Sequence, residues 1–223
     1  MTSILKVLVG SRAHGLHTET SDYDYRGVYV RPTREILALG AKPHTTQWSE
    51  ADKAAPGDKL DDTSWEIGHF LSLATHCNPT ILEVLAAPPE AMTEVGQALR
   101  DLLPHIWHPK GVRDAFLGYG WNQRKKFLDD KDQRASKYAC AYLRVLYQAY
   151  GLLNWGDLLV DMRDTGVYLT LKAWKAGDYT KGEVIDVTSK WQELVEEAAS
   201  VCDHQQDLGP VNDFLLDVRK RYW

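Results

Sequence analysis

Apolar and polar positions change their period once along this chain. Ile4, Leu5, Val7, Leu8 and Val9 form a short apolar run that Gly10-Ser11 breaks, which predicts a buried strand followed by a turn or short helix. Residues 25–30, a run of β-branched and aromatic side chains, predict a second strand. Arg31-Pro32-Thr33 reads as a turn, 45–48 as a short strand, and 50–59, rich in Ala, Asp, Lys, Gly and Pro, as an exposed loop. Residues 60–65 suit a third core strand running toward the same end of the sheet. From Glu66 onward the period is helical. Ile67, Phe70, Leu71, Leu73 and Ala74 share a face, and Asn78-Pro79-Thr80 ends that helix and starts a short apolar one closed at Pro88-Pro89. Glu66 is placed to open the first of these helices, where a carboxylate complements the N-terminal dipole. Helical patterns recur at 95–103, 112–128, 135–153, 184–202 and 211–222. Strands first and helices afterwards predict an α+β fold: a small mixed β-sheet core over residues 1–89, then an all-helical C-terminal region over 90–223.

The length of 223 residues, with 44% hydrophobic and 26% charged content, is that of a soluble globular chain with a real core. No apolar run approaches membrane-spanning length, and Met1 is not followed by a secretory pattern. The three cysteines, Cys77, Cys140 and Cys202, are odd in number and far apart, which argues for reduced thiols and a cytoplasmic location. A net charge of −5 argues against a surface coated for nonspecific nucleic-acid binding, although Arg124-Lys125-Lys126 and Arg219-Lys220-Arg221 form local basic clusters.

The candidate chemistry sits at the first two strands. Gly10-Ser11 presents backbone N–H groups and a hydroxyl at a strand-to-helix junction, a place that receives phosphate oxygens. Asp22 and Asp24, two apart, point the same way if the strand begins there, and a divalent cation such as Mg²⁺ is the usual reason to keep two carboxylates side by side. Each half alone also fits an ordinary turn or a solvated Asx-type loop. Together, both attached to strands, they point to nucleotide chemistry.

This arrangement resembles the nucleotidyltransferases of the DNA polymerase β superfamily, whose pattern is Gly-Ser, roughly ten residues, and Asp-x-Asp on the next strand. GSRAHGLHTETSDYDYRGVYV is similar to predicted nucleotidyltransferases of bacteria and phages, including RNA-repair-associated members. The similarity continues through LDDTSWEIGHFLSLATHCNPTILEVL, GYGWNQ and KYACAYLRVL, and fades beyond residue 153. The resemblance implies transfer of a nucleoside monophosphate from an NTP to an acceptor hydroxyl, an RNA end being one candidate, with release of pyrophosphate. It implies Asp22, Asp24 and Asp61 as holders of two Mg²⁺ ions, with Mn²⁺ a substitute, and Gly10 and Ser11 at the β and γ phosphates with Arg12 in support. Strand alternation lets only one of Asp61 and Asp62 reach the site, and the resemblance favours Asp61.

In the helical half, Tyr119, Gln123 and Lys126 are spaced to share one helix face, as are Lys137 and Arg144. In the resembled family such helices close over the nucleotide, which implies Lys126, Lys137 and Arg144 at the triphosphate, Tyr119 or Tyr138 against the base, and Gln123 among the nucleotide contacts. The same spacings fit amphipathic helices with snorkelling cations. Two other classes compete: a noncatalytic nucleotide-binding regulatory relative, and a metal-independent ribonuclease or toxin-like protein using Arg100 and His105. Pro104 would disturb the helix that the last of these needs. The histidines at 69, 76, 105 and 108 lack a zinc-ligand spacing.

Overall fold

Thr2–Val9 (β1) and Asp24–Val30 (β2) pair antiparallel, with Val9 opposite Asp24 and Val7 opposite Arg26. Facing residues of a ladder share a side, so Asp24 and Arg26 stand on the same face as Val7 and Val9. Gln47–Glu50 (β3), Asp61–Glu66 (β4) and Pro89–Met92 (β5) complete a five-stranded sheet in the order β3-β4-β2-β1-β5. β2 and β4 run parallel and the other pairs antiparallel, so the sheet is mixed and the fold is α+β. This computed structural model describes residues 1–41, 47–50 and 61–223, with side chains at all of these except 47–50, 61 and 62. The expected loop at 50–59, apart from Glu50 in β3, lies outside the described residues, as does the start of the strand expected at 45–48.

Burial along β2 changes midway. Asp24, Tyr25 and Arg26 are half-buried whereas residues 27–30 are fully buried, so the strand starts in an open cleft and ends in the core. The core runs from Val7 and Val28 of the sheet to Phe70 of Ile67–Thr75 (α3) and Leu82 of Pro79–Ala86 (α4). It continues to Phe116 of Pro109–Leu128 (α7) and Leu146 of Ala135–Trp155 (α8). A second cluster joins Phe127 and Leu143 to Trp174 of Tyr168–Ala176 (α9) and Val184 of Lys181–Val201 (α10). Local signals set the helix ends. Glu66 caps α3 by accepting from the Gly68 N–H at 2.8 Å, Asn78 caps α4 just before Pro79, and Gly156 ends α8 at φ +69.

The last helix, Leu208–Arg221 (α11), returns to the sheet. Arg219 places two nitrogens on the buried Glu66 carboxylate at 2.6 and 2.9 Å, and its carbonyl accepts from the Thr33 hydroxyl at 2.6 Å. The helix expected at 95–103 is divided instead into Glu94–Asp101 (α5) and Leu103–Ile106 (α6), because Pro104 cannot supply the N–H that would continue the first. Residues 90–92, expected to begin the helical region, belong with Pro89 to an exposed edge strand held by β1. No described helix is long and apolar enough to cross a membrane, and the three cysteines are free.

Candidate active site

Gly10 is the first residue of a one-turn helix, Gly10–Ala13, and takes φ +71, a left-handed conformation that costs glycine little. A second constraint acts there. A Cβ at this position would overlap Asp24 Oδ2, so the bare Cα is what lets the carboxylate lie against the turn. Ser11 follows, and Ser11, Asp22 and Asp24 line one cleft of about 670 Å³. The far wall comes from the helical half: Tyr119 and Gln123 of α7, Lys137, Tyr138 and Arg144 of α8, and Lys175 of α9. The cleft thus places two carboxylates opposite several cations and two tyrosines.

Two expected residues lie elsewhere. Arg12 donates through Nε and Nη2 to the Ser21 carbonyl at 3.1 and 2.8 Å and stacks over the Tyr23 ring at 3.8 Å. It braces the loop that carries Asp22 rather than lining the cleft. Lys126 shares the helical face of Tyr119 and Gln123 but sits about 10 Å along the axis from Tyr119. Its ammonium lies over the Tyr138 ring at 5.6 Å, outside the cleft lining. Sharing a face does not give sharing of a site when two turns separate the residues.

Asp61 is the Cα partner of Asp24 in the parallel β2–β4 ladder, and Asp62 is the partner of Tyr25. Their side chains are outside the described residues. Among the described residues no cluster of three or more His, Cys, Asp or Glu comes together. Asp22 and Asp24 supply the hard oxygen donors that suit Mg²⁺.

The structure adds residues that spacing alone does not reveal. Arg26, two beyond Asp24 on the same strand face, enters the cleft and lies 5.7 Å from the Trp65 ring. Alternation from Asp24 would have found it. His14 lines the cleft, and its Nε2 lies 2.7 Å from Oε1 of Glu83, 69 positions further along the chain on α4. Arg144 Nη1 stands 3.6 Å from the other oxygen, Oε2. Burial alone would raise the Glu83 pKa, but Arg144 and His14, with Arg26 behind them, outweigh it and hold it at about 2. Burial pushes the His14 pKa down and the charge on Arg144 adds to that, against the pull of Glu83. An ionised carboxylate can only accept, so Glu83 Oε1 takes its hydrogen bond from the His14 Nε2–H.

The profile of the RNA repair pathway DNA polymerase beta family, RlaP, matches residues 2–163. The chain belongs to this family. The match takes in both strands with their Gly-Ser and Asp-x-Asp, the helices α7 and α8, and Glu83. Two curated relatives are similar to part of this chain. One is an uncharacterized 38.9 kDa protein of the nrdC-mobD intergenic region in Enterobacteria phage T4, 27% identical over 62% of this chain and 39% of its own length. The other is the uncharacterized protein YcgL of Bacillus subtilis strain 168, 28% identical over 58% of this chain and 48% of its own. The matched part of this chain thus spans less than half the length of either relative. Within this RlaP-family chain, Lys175 and α11 lie beyond the matched residues, so part of the cleft wall and the Arg219 contact come from outside the match. The ribonuclease alternative finds its arginine occupied: Arg100 donates to the carbonyls of Ala87 and Ala86 at 2.6 and 3.4 Å, and His105 belongs to a separate helix.

Proposed function

We propose that this protein is a metal-dependent nucleotidyltransferase that moves a nucleoside monophosphate from an NTP to an acceptor hydroxyl and releases pyrophosphate. The observation that carries the reading is the packing of the Asp24 carboxylate on the bare Cα of Gly10, which joins the phosphate-receiving turn to the acidic strand in one cleft. Membership of a DNA polymerase beta family supports it.

Divalent cations held by Asp22 and Asp24, with Asp61 at the adjoining register position, would neutralise phosphate charge and acidify the acceptor hydroxyl. The turn at Gly10 and Ser11 receives the β and γ phosphates. Lys137, Arg144 and Lys175 face them from the helices, and Arg26 faces them from β2. Tyr119 and Tyr138 offer ring faces to the base. With the nucleotide so fixed, the acceptor oxygen attacks the α phosphorus, the bond to the β-phosphate oxygen breaks, and that oxygen leaves with the electron pair. The attacking oxygen gives up its proton, and Asp61, the ladder partner of Asp24, is the residue we assign to take it. An RNA end is the acceptor class that we put first, in keeping with the description of the family as part of an RNA repair pathway.

Purified protein incubated with each α-phosphate-labelled NTP, Mg²⁺ and total RNA should transfer label to RNA and release pyrophosphate. Binding of NTP without transfer to any RNA, protein or small hydroxyl would assign the chain to the noncatalytic class.

A further inference from the structure

Glu83 is out of place in its helix. Ile81, Leu82, Val84 and Leu85 around it are apolar and buried, and Glu83 itself is only 9% exposed. A carboxylate at that depth needs partners, and a buried ion pair is poor value as a stability device when apolar residues would serve as well. Its location points to another role. One oxygen meets His14, three residues after Ser11, and the other faces Arg144 on α8, so the carboxylate bridges the Gly-Ser turn and the helical wall.

Arg144 is held at a single nitrogen. Nη1 faces Glu83 at 3.6 Å and donates to Gln148 Oε1 at 2.8 Å, while Gln148 is fixed by its own bond to the Leu159 carbonyl at 2.9 Å. Among the described residues Nε and Nη2 have no partner, and Arg144 lines the cleft. A guanidinium tethered at one corner presents its remaining donors in a fixed fork, the geometry that matches phosphate oxygens.

We propose that Glu83 is a positioning residue for the transfer reaction, holding His14 and Arg144 so that the phosphate-binding turn and the free edge of the guanidinium face the same nucleotide. The inference rests on the nucleotidyltransferase reading. It makes two effects separable by sign. As an anion near a triphosphate, Glu83 opposes binding, so neutralising it leaves NTP affinity unchanged or raises it. As a positioning group it speeds the chemistry, where small misplacements are costly.

The test is Glu83→Gln, which keeps size and an acceptor oxygen, assayed for kcat, for KM and for NTP affinity in Ca²⁺, with a thermal melt alongside. The expected result is a fall in kcat of about 10- to 100-fold with the NTP KM unchanged or lower, in a variant that melts at a lower temperature but is fully folded at the assay temperature. Arg144→Lys should lower kcat too, and the double variant should be no worse than Arg144→Lys alone. Turnover within about twofold of wild type, or a loss matched only by a loss of folded protein, overturns the proposal. Should Glu83→Gln fail to fold, Gln148→Leu leaves the carboxylate in place and removes the other tether. It should give the same fall in kcat, and full turnover by it overturns the proposal. Wild-type protein that neither binds NTP nor releases pyrophosphate overturns the transferase reading and this inference with it. Active wild type with an unaffected Glu83→Gln overturns this inference alone.

Discussion

The Asp24 carboxylate occupies the space that any side chain on residue 10 would need: beyond the overlap with Oδ2, a Cβ there would lie 3.1 Å from Asp24 Cγ and 3.3 Å from its Cβ. Gly10→Ala should therefore do two things, straining a backbone at φ +71 by about 1 kcal/mol and pushing the carboxylate out of position. Gly156 is the control, since it has φ +69 and nothing within 4 Å of a built Cβ. Gly156→Ala should lower the melting temperature by a similar few degrees and keep full transfer activity, whereas Gly10→Ala should lose at least about tenfold in turnover. Equal activity of the two variants would separate Gly10 from the site.

The parallel register makes a second contrast. Asp61 is the ladder partner of Asp24 and Asp62 that of Tyr25, and alternation along a strand lets only one of two neighbours serve a site on one face. Asp61→Ala should be as damaging to transfer as loss of Asp22, and Asp62→Ala should be mild. Turnover measured at saturating Mg²⁺ ranks them, and the reverse order would move the third carboxylate by one residue.

Arg219 tests whether the chain beyond the family match holds the core together. Its side chain is 17% exposed and bonds twice to a Glu66 carboxylate that is almost wholly buried. Arg219→Ala should cost about 3 kcal/mol in denaturant unfolding, as expected when a buried carboxylate loses a doubly bonded guanidinium. Lys220→Ala, whose bond to Asp217 is exposed on both sides, should stay within about 0.5 kcal/mol of wild type.

Acid should destabilise the protein in two stages. Below the ordinary histidine value of 6.5 the unfolded chain takes up a proton at residue 14 that the folded protein resists, so stability begins to fall there. Glu83 adds stability that is complete above its ordinary value of 4.5 and is lost as pH falls from there toward about 2. Unfolding free energies measured between pH 8 and pH 3 should decline through both windows, and Glu83→Gln should flatten the lower one.

Much of this architecture is legible in the sequence because its signals are local. The apolar run before Gly10, the β-branched and aromatic run from Tyr25 and the Asn78-Pro79 cap give β1, β2 and α4 directly. Elements decided by distant packing are not. β5 is four exposed residues that become a strand only because β1 offers an open edge, and α9 is nine residues with Leu171 and Trp174 alone fully buried. The site divides in the same way. Asp22, Asp24, Gly10 and Ser11 are close in sequence and close in the cleft, whereas His14, Glu83 and Arg144 meet only through the tertiary fold. Lys126 and Arg12 show the limit from the other side: each has the charge that the motif asks for, and each is taken up by a neighbouring tyrosine or carbonyl.

The central claim is that the carboxylates of Asp22 and Asp24 serve metal-dependent transfer from an NTP. The most direct measurement is pyrophosphate release by wild type, Asp22→Asn and Asp24→Asn at saturating Mg²⁺ with RNA as acceptor, with circular dichroism showing that the variants are folded. Wild type should release pyrophosphate only when Mg²⁺ or Mn²⁺ is added, and each variant should fall below about a tenth of its turnover, a loss of more than about 1.4 kcal/mol in barrier terms. Release that persists in either folded variant, or that proceeds in wild type with the metal chelated, would contradict the account.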